Sequence, residues 1–247
     1  DRFLARLTHQ EPQAWIVKGG FALQLRLGNR ARTTKDVDVE IAREWTEAEI
    51  IDRLRDAAAK DLGDWFECEV SDPTEAATGA PFGGLRFPIL CLLDGRSFET
   101  FHLDVGQGDP ISDHPEQLSV PNLLDFAGLP ATKVYCYPLT SQIAEKLHAY
   151  TRVYEGGDTS RVRDLVDILI IASMVSFESL RLKRAFEATF DARSTHPMPG
   201  QLPEPPRSLA GPYKKLARDL NLNWRTIQEA GEAANQFLSP VLMERQL

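Results

Sequence analysis

Two aspartates one residue apart, Asp36 and Asp38, are the residues in this chain best suited to chemistry. They stand in Asp36-Val37-Asp38-Val39-Glu40-Ile41, where acid and apolar residues alternate with the period of a β-strand. At positions i and i+2 both carboxylates leave the strand on one face, roughly 6.5–7 Å apart at Cα. So placed, they repel one another unless a cation sits between them. A hard divalent ion such as Mg2+ takes oxygen ligands and keeps part of its shell for water and substrate phosphates. Asp104, in Phe101-His102-Leu103-Asp104-Val105, is another strand acid among apolar neighbours, and on an adjacent strand it would complete a triad of metal ligands. Two metals held in this way can activate an attacking hydroxyl and stabilise a leaving pyrophosphate. An exposed edge strand with alternating acids accounts for the pair without any metal.

Phosphate has its own candidate site. Lys18-Gly19-Gly20 runs into the helical pattern of Phe21 to Leu27, so Gly19 and Gly20 leave backbone N–H groups open beside a helix N-terminus. Thr33 and Thr34 lie just before Asp36, at the mouth of such a site, where a phosphate on either would compete with an incoming triphosphate.

These residues need elements to position them. Phe3, Leu4 and Leu7 predict a short helix, and Trp15 to Val17 a buried strand. Thr46 and Glu49 form a capping-box pattern before a helix ending near Leu62. Trp65 to Val70 reads as a strand, and Leu85–Leu93 with Ser97–Val105 as a hairpin around Asp94-Gly95. After about Tyr135 the periodicity turns helical, over 139–150, 160–175, 177–190 and 213 to about 237, with a Pro-rich strap at about 191–212. The expected fold class is α+β. Residues 1–135 form a mixed sheet with helices, and residues 136–247 a helical domain.

Composition sets limits on function. With 247 residues, 43% apolar and 26% charged, the chain has the make-up of a folded protein with a sizeable core. The net charge is −8, of which residues 1–135 carry −9 and residues 136–247 carry +1. The whole molecule is therefore not a basic nucleic-acid binder. RNA would have to meet local clusters such as Arg181-Lys183-Arg184 and Lys214-Lys215-Arg218, which a solvated helix face also explains. Cys68, Cys91 and Cys136 are far apart in sequence with no CxxC pair, which predicts core residues and fits a reducing cytoplasm. His102 and His148 sit in apolar patterns without a ligand partner nearby, which predicts packed or hydrogen-bonded rings rather than zinc ligands. The longest apolar run, Val166 to Val175, is too short for a bilayer, so no membrane association is expected. No signal peptide is visible, and since the chain opens at Asp1 rather than Met, the native N-terminus is expected upstream.

A Gly-Gly turn, then Asp-x-Asp on a strand, then a later strand Asp resembles the nucleotidyltransferase superfamily of polymerase-β type. The fuller text is similar to one branch, the AbiEii/AbiGii and MenT-like toxins of type IV toxin–antitoxin systems. That text is Val17 to Leu23, Arg32 to Asp38, Gln142 to Ala149 with Arg152, and Ser160 to Asp167.

The resemblance implies a nucleotidyltransferase fold in the first half and Mg2+-dependent transfer of NMP from an NTP. The implied acceptor is the 3′ end of tRNA, blocking translation, and the implied partner is a cognate antitoxin. It implies that Asp36, Asp38 and Asp104 hold metal and that Gly19 and Gly20 shape the phosphate turn, with Thr34 and Lys35 beside it. Lys146 matches the helix lysine that holds the triphosphate, and Asp164 the later motif acid. Arg152, Arg161 and Arg163 are positioned in sequence to meet phosphates. The superfamily's usual Gly-Ser is Gly19-Gly20 here, so a serine contact to phosphate is missing. From the residues alone, Lys146 is expected to lay its stem on apolar surface with the ammonium reaching outward. Asp164 is expected in the first turns of a helix that Ser160 caps. A protein or small-molecule acceptor, or a nucleotide-binding module without turnover, are the alternatives.

Overall fold

The computed structural model describes residues 1–28, 31, 34, 36–75, 83–153 and 161–243. The chain divides into two compact units, Asp1–Asp109 with Pro115–Tyr137, and Pro110–His114 with Pro138–Leu247.

The first unit is built on an eight-stranded sheet. Its strands are β1 (Trp15–Lys18), β2 (Val37–Ile41), β3 (Phe66–Val70), β4 (Thr74–Glu75), β5 (Gly84–Leu93), β6 (Arg96–Gln107), β7 (Glu116–Ser119) and β8 (Lys133–Cys136). The order across the sheet is β3-β5-β6-β2-β1-β8-β7, with β4 paired to β5. β2 runs parallel to β6 and β1 parallel to β8, while the other pairs are antiparallel.

Among the described residues, the α-helices α1 (Arg2–Leu7), α2 (Gly19–Leu27) and α3 (Glu47–Ala58) accompany the sheet. Period-two alternation decides which strand residues meet them. Val17, Val39, Ile41, Phe87, Ile89, Leu103 and Val105 form one buried cluster with Phe3, Leu4 and Leu7 of α1 and Ile50 and Leu54 of α3. The other face of the same strands carries Lys18, Asp38, Glu40, Arg86, His102 and Asp104. Strand β2 starts at Val37, one residue later than expected, so Asp36 enters the sheet from the preceding bend.

Local signals hold where they are strong. The Thr46 hydroxyl accepts the Glu49 N–H and the Glu49 carboxylate accepts the Thr46 N–H, closing the capping box. Helix α3 ends at Ala58, short of Leu62, before a turn in which Gly63 and Trp65 both take positive φ. The β5–β6 hairpin turns on Asp94 and Gly95, with φ of 51° and 69°, the paired positive values that match strand twist. Strands β4, β7 and β8 were not expected from the sequence, although β8 lies inside the sheet. Cys68 and Cys91, distant in sequence, are opposite one another on β3 and β5 with Sγ atoms 3.4 Å apart. They and Cys136 are buried free thiols.

The second unit is helical, with α4 (Leu139–Thr151), α5 (Arg161–Ala172), α6 (Ser179–Arg193), α7 (Ala210–Asp219) and α8 (Ile227–Met243). Helix α5 is buried on nearly every side, from Val162 through Ile171. The last helical stretch is two helices rather than one, and the Pro-rich segment is shorter than expected because α6 continues to Arg193 and α7 starts at Ala210. The strap is seated on Gly231 of α8, where a Cβ would lie 2.6 Å from Pro205. Ser160, expected to cap α5, lies outside the described residues. None of the described helices is long and apolar enough to cross a membrane.

Candidate active site

Hydrogen-bond register sets a row of four charges across four strands. Lys18 lies opposite Asp38, Asp38 beside Asp104, and Asp104 opposite Arg86, all on the face away from the α1–α3 core. Register partners project to the same side, so the sequence of charges is plus, minus, minus, plus.

Each end of the row is tied. Lys18 Nζ lies 2.7 Å from Glu40 Oε2 and 2.8 Å from Asp109 Oδ2, and the Asp109 N–H donates to the other Glu40 oxygen at 2.8 Å. All three side chains are buried, so the pairing is obligatory: removing Lys18 would leave two acids in low dielectric. At the other end Arg86 grips Asp104 with a bidentate pair, Nε to Oδ1 at 2.7 Å and Nη2 to Oδ2 at 2.6 Å. The hydrogen bond to Asp104 raises the guanidinium pKa further above its already high ordinary value, outweighing the opposing effect of burial. The same Nη2 lies 3.8 Å from Asp36, whose other oxygen is 3.4 Å from His102 Nδ1. His102 is half exposed beside Asp36, not packed in the core.

The phosphate-turn residues meet this row directly. Gly19 opens α2 with φ of 64°, a conformation that glycine takes without penalty. A Cβ on Gly19 would lie 2.0 Å from Asp38 Oδ2, so the absent side chain is the space that the Asp38 carboxylate uses. Gly20 follows in the first turn and is buried. The Thr34 hydroxyl donates to the Asp36 carbonyl at 3.2 Å. Lys35, Arg32 and Thr33 lie outside the described residues.

In the second unit the motif residues form their own group. Lys146 on α4 lies 3.0 Å from Asp164 and 3.0 Å from Asp167, both on α5, and Arg161 meets the second oxygen of Asp164 at 2.7 Å. The Lys146 ammonium therefore does not reach outward as expected but is held between two buried acids. Asp164 stands in the first turn of α5, where the helix dipole favours an acid. Arg152 ends α4, its N–H on the His148 carbonyl. Arg163 is exposed. His148 is buried, accepting or donating with Thr195 Oγ1 at 2.8 Å and packed edge-on against Phe190.

The basic clusters fare unequally. Lys183 is buried, among the residues of α6 that lie out of solvent with Leu182, Ala185 and Phe186. Arg181 is paired with Asp113 and Arg218 with Asp219, while Arg184, Lys214 and Lys215 are exposed.

A divalent cation can be tested against these donors. Asp36 and Asp38 offer hard oxygen atoms, Asp36 is half exposed, and Gly19 gives Asp38 room. These residues fit such an ion. Among the described residues no three His, Cys, Asp or Glu side chains are already gathered as a cage. Asp104, the third carboxylate, has both oxygens on Arg86.

Arg86, and the role of Asp167 as a partner of Lys146, escape a reading that follows motifs, although Asp167 closes the Ser160–Asp167 text. Each had a signal, a lone charge in an apolar stretch: Leu85-Arg86-Phe87 on a strand, and Val166-Asp167-Ile168 inside a helix.

A mixed sheet with a Gly-Gly helix start facing paired strand acids, followed by a helical unit, defines a nucleotidyltransferase architecture. Solved structures agree on the fold. The nucleotidyltransferase toxin MenT4 from Mycobacterium tuberculosis superposes with a TM-score of 0.56 at 18% identity, over 97% of this chain and 90% of that one. A protein from H. pylori described as a nucleotidyltransferase gives a TM-score of 0.50 at 16% identity, over 99% and 95%. No curated protein matches the sequence significantly. The family model for the nucleotidyl transferase AbiEii toxin of type IV toxin–antitoxin systems matches residues 2–236. The chain belongs to that family and is a nucleotidyltransferase.

Proposed function

We propose that this enzyme acts in the cytoplasm as a toxin that moves a nucleoside monophosphate from an NTP to the 3′ end of tRNA, with loss of pyrophosphate and arrest of translation. Its partner off duty is a cognate antitoxin, in keeping with the family. The single observation that carries the chemistry is the row of Asp38 and Asp104 in register, with Asp36 and the Gly19 cradle beside it.

In this reading Asp36 and Asp38 hold Mg2+ and Asp104 is the third ligand. The bound ion supplies charge neutralisation at phosphate and lowers the pKa of the acceptor hydroxyl. Gly19 and Gly20 present backbone N–H groups to phosphate, with Thr34 and Lys35 alongside. Lys146 takes the triphosphate as a point charge, held ready by Asp164 and Asp167, while Arg152 and Arg163 meet further phosphate oxygens.

The test is incubation with each labelled NTP, Mg2+ and total RNA. Label is expected at tRNA 3′ ends, dependent on the cation and absent with Asp36→Ala. Label on protein or on a small molecule would replace the acceptor. Full transfer by Asp36→Ala would remove the cation site.

A further inference from the structure

The third carboxylate of the row is occupied, and by a group that cannot lose its charge. Arg86 and Asp104 face each other in register on β5 and β6, so backbone pairing fixes the approach of the guanidinium. The pair is bidentate, at 2.7 and 2.6 Å, and Asp104 is buried while the Arg86 side chain is 39% exposed. Arg86 Nη2 also reaches to 3.8 Å from Asp36. One guanidinium thus neutralises Asp104 and offsets part of the charge of Asp36, on a face where Asp38 adds a further acid in register with Asp104. An arginine stays protonated at any ordinary pH, so only displacement can free Asp104.

We propose that Arg86 is a built-in counter-ion that competes with a divalent cation for Asp104 and must swing off that carboxylate before the cation gains its third protein ligand. The proposal rests on the reading of Asp36, Asp38 and Asp104 as a cation site. Arg86 keeps the acids folded together without a metal, and it weakens metal binding by the strength of the pair it must break. Exposure of the Arg86 side chain gives it somewhere to go: its stem is anchored on β5 while its head is at the surface.

The experiment is Mn2+ titration of the purified chain, read as loss of the free-ion electron paramagnetic resonance signal and needing no turnover. Wild type, Arg86→Ala, Arg86→Gln, Arg86→Lys and Asp38→Asn are compared, each first checked by thermal melting. Removing the competitor is expected to tighten Mn2+ binding about tenfold or more in Arg86→Ala and Arg86→Gln, with Arg86→Lys in between. Equal or weaker binding by both neutral variants overturns the proposal.

Asp38→Asn separates the two ideas. If it binds Mn2+ as well as wild type, the cation site itself is misplaced. If it loses binding while Arg86→Gln matches wild type, the site stands and the competition does not. Should the Arg86 variants fail to fold, the wild-type chain still decides. The Arg86 Nε–H resonance is expected to shift as Mg2+ is added, and a saturable Mg2+ effect on Asp38 that leaves Arg86 unmoved would overturn it.

Discussion

At the residue scale the most constrained position is Gly19. Its φ of 64° costs an alanine roughly 1–2 kcal/mol in backbone strain alone. The added methyl would also stand 2.0 Å from Asp38 Oδ2, so the carboxylate must leave its place. Gly19→Ala is therefore expected to lower the melting temperature modestly and cut transfer by about 100-fold, since displacement by about an ångström is costly at a reacting centre. Melting and steady-state rates check both halves, and an unchanged rate would separate Gly19 from the site. The two strand aspartates and the Gly-Gly turn were legible because residue types and spacing alone bring them forward. Arg86 and the pairing of Asp167 were not, because one charge in an apolar stretch acquires meaning only from what faces it across a sheet or on another helix. Lys146 shows the same limit: its helix was readable, but the two acids that hold it belong to α5.

Elements were legible in proportion to how local their causes are. The capping box and the Asp94-Gly95 hairpin follow from neighbours in sequence, and both form as expected. Strand β8 does not, since Lys133 to Cys136 carries too few residues for a period, and its place beside β1 is set by tertiary pairing. The capping box gives a control free of chemistry. Thr46→Ala removes the acceptor for the Glu49 N–H and is expected to cost about 1 kcal/mol while leaving transfer unchanged. Denaturant midpoints and rates measure both. A loss of activity without a loss of stability would tie α3 to function.

For the whole molecule the charges act at two ranges. Asp64 lies buried with Arg2 at 2.6 Å and Arg6 at 2.7 Å. Burial alone would raise its carboxyl, but hydrogen bonds from Arg6, Arg2 and the Phe66 N–H prevail and hold it at about 2, below the ordinary 3.8. A depressed carboxyl stabilises the fold fully above the ordinary value, and that stability is lost as pH falls from about 3.8 through about 2. The loss is expected to be on the order of 2 kcal/mol. Urea midpoints through that window should fall more steeply for the wild type than for Asp64→Asn, which begins less stable.

Longer-ranged charge concerns the proposed RNA acceptor. Reversing the exposed Arg184, Lys214 and Lys215 to Glu is expected to weaken RNA modification and to flatten its salt slope by about 1–3. NTP binding should not change. Salt-independent RNA modification by the reversed protein, at the wild-type level, would move the RNA surface elsewhere.

The path of the chain has a consequence for making the protein. It leaves the first unit after Asp109, contributes Pro110–His114 to the second, returns at Pro115 and leaves for good after Tyr137. The charged row is complete once β6 has been made, yet β1 gains its second neighbour only with β8, the last strand in the order of synthesis. A nascent or truncated chain that stops before residue 133 therefore carries Asp36, Asp38 and Asp104 on a sheet with one interior strand left open-edged, ready to pair with another chain. A ribosome must pass Tyr137 before that edge is closed. Gene fragments cut at the apparent boundary would also strip Asp113 from Thr140 and Arg181, its partners on α4 and α6. The two units are thus interleaved along the chain, and the enzyme is to be expressed, mutated and purified as one uninterrupted polypeptide.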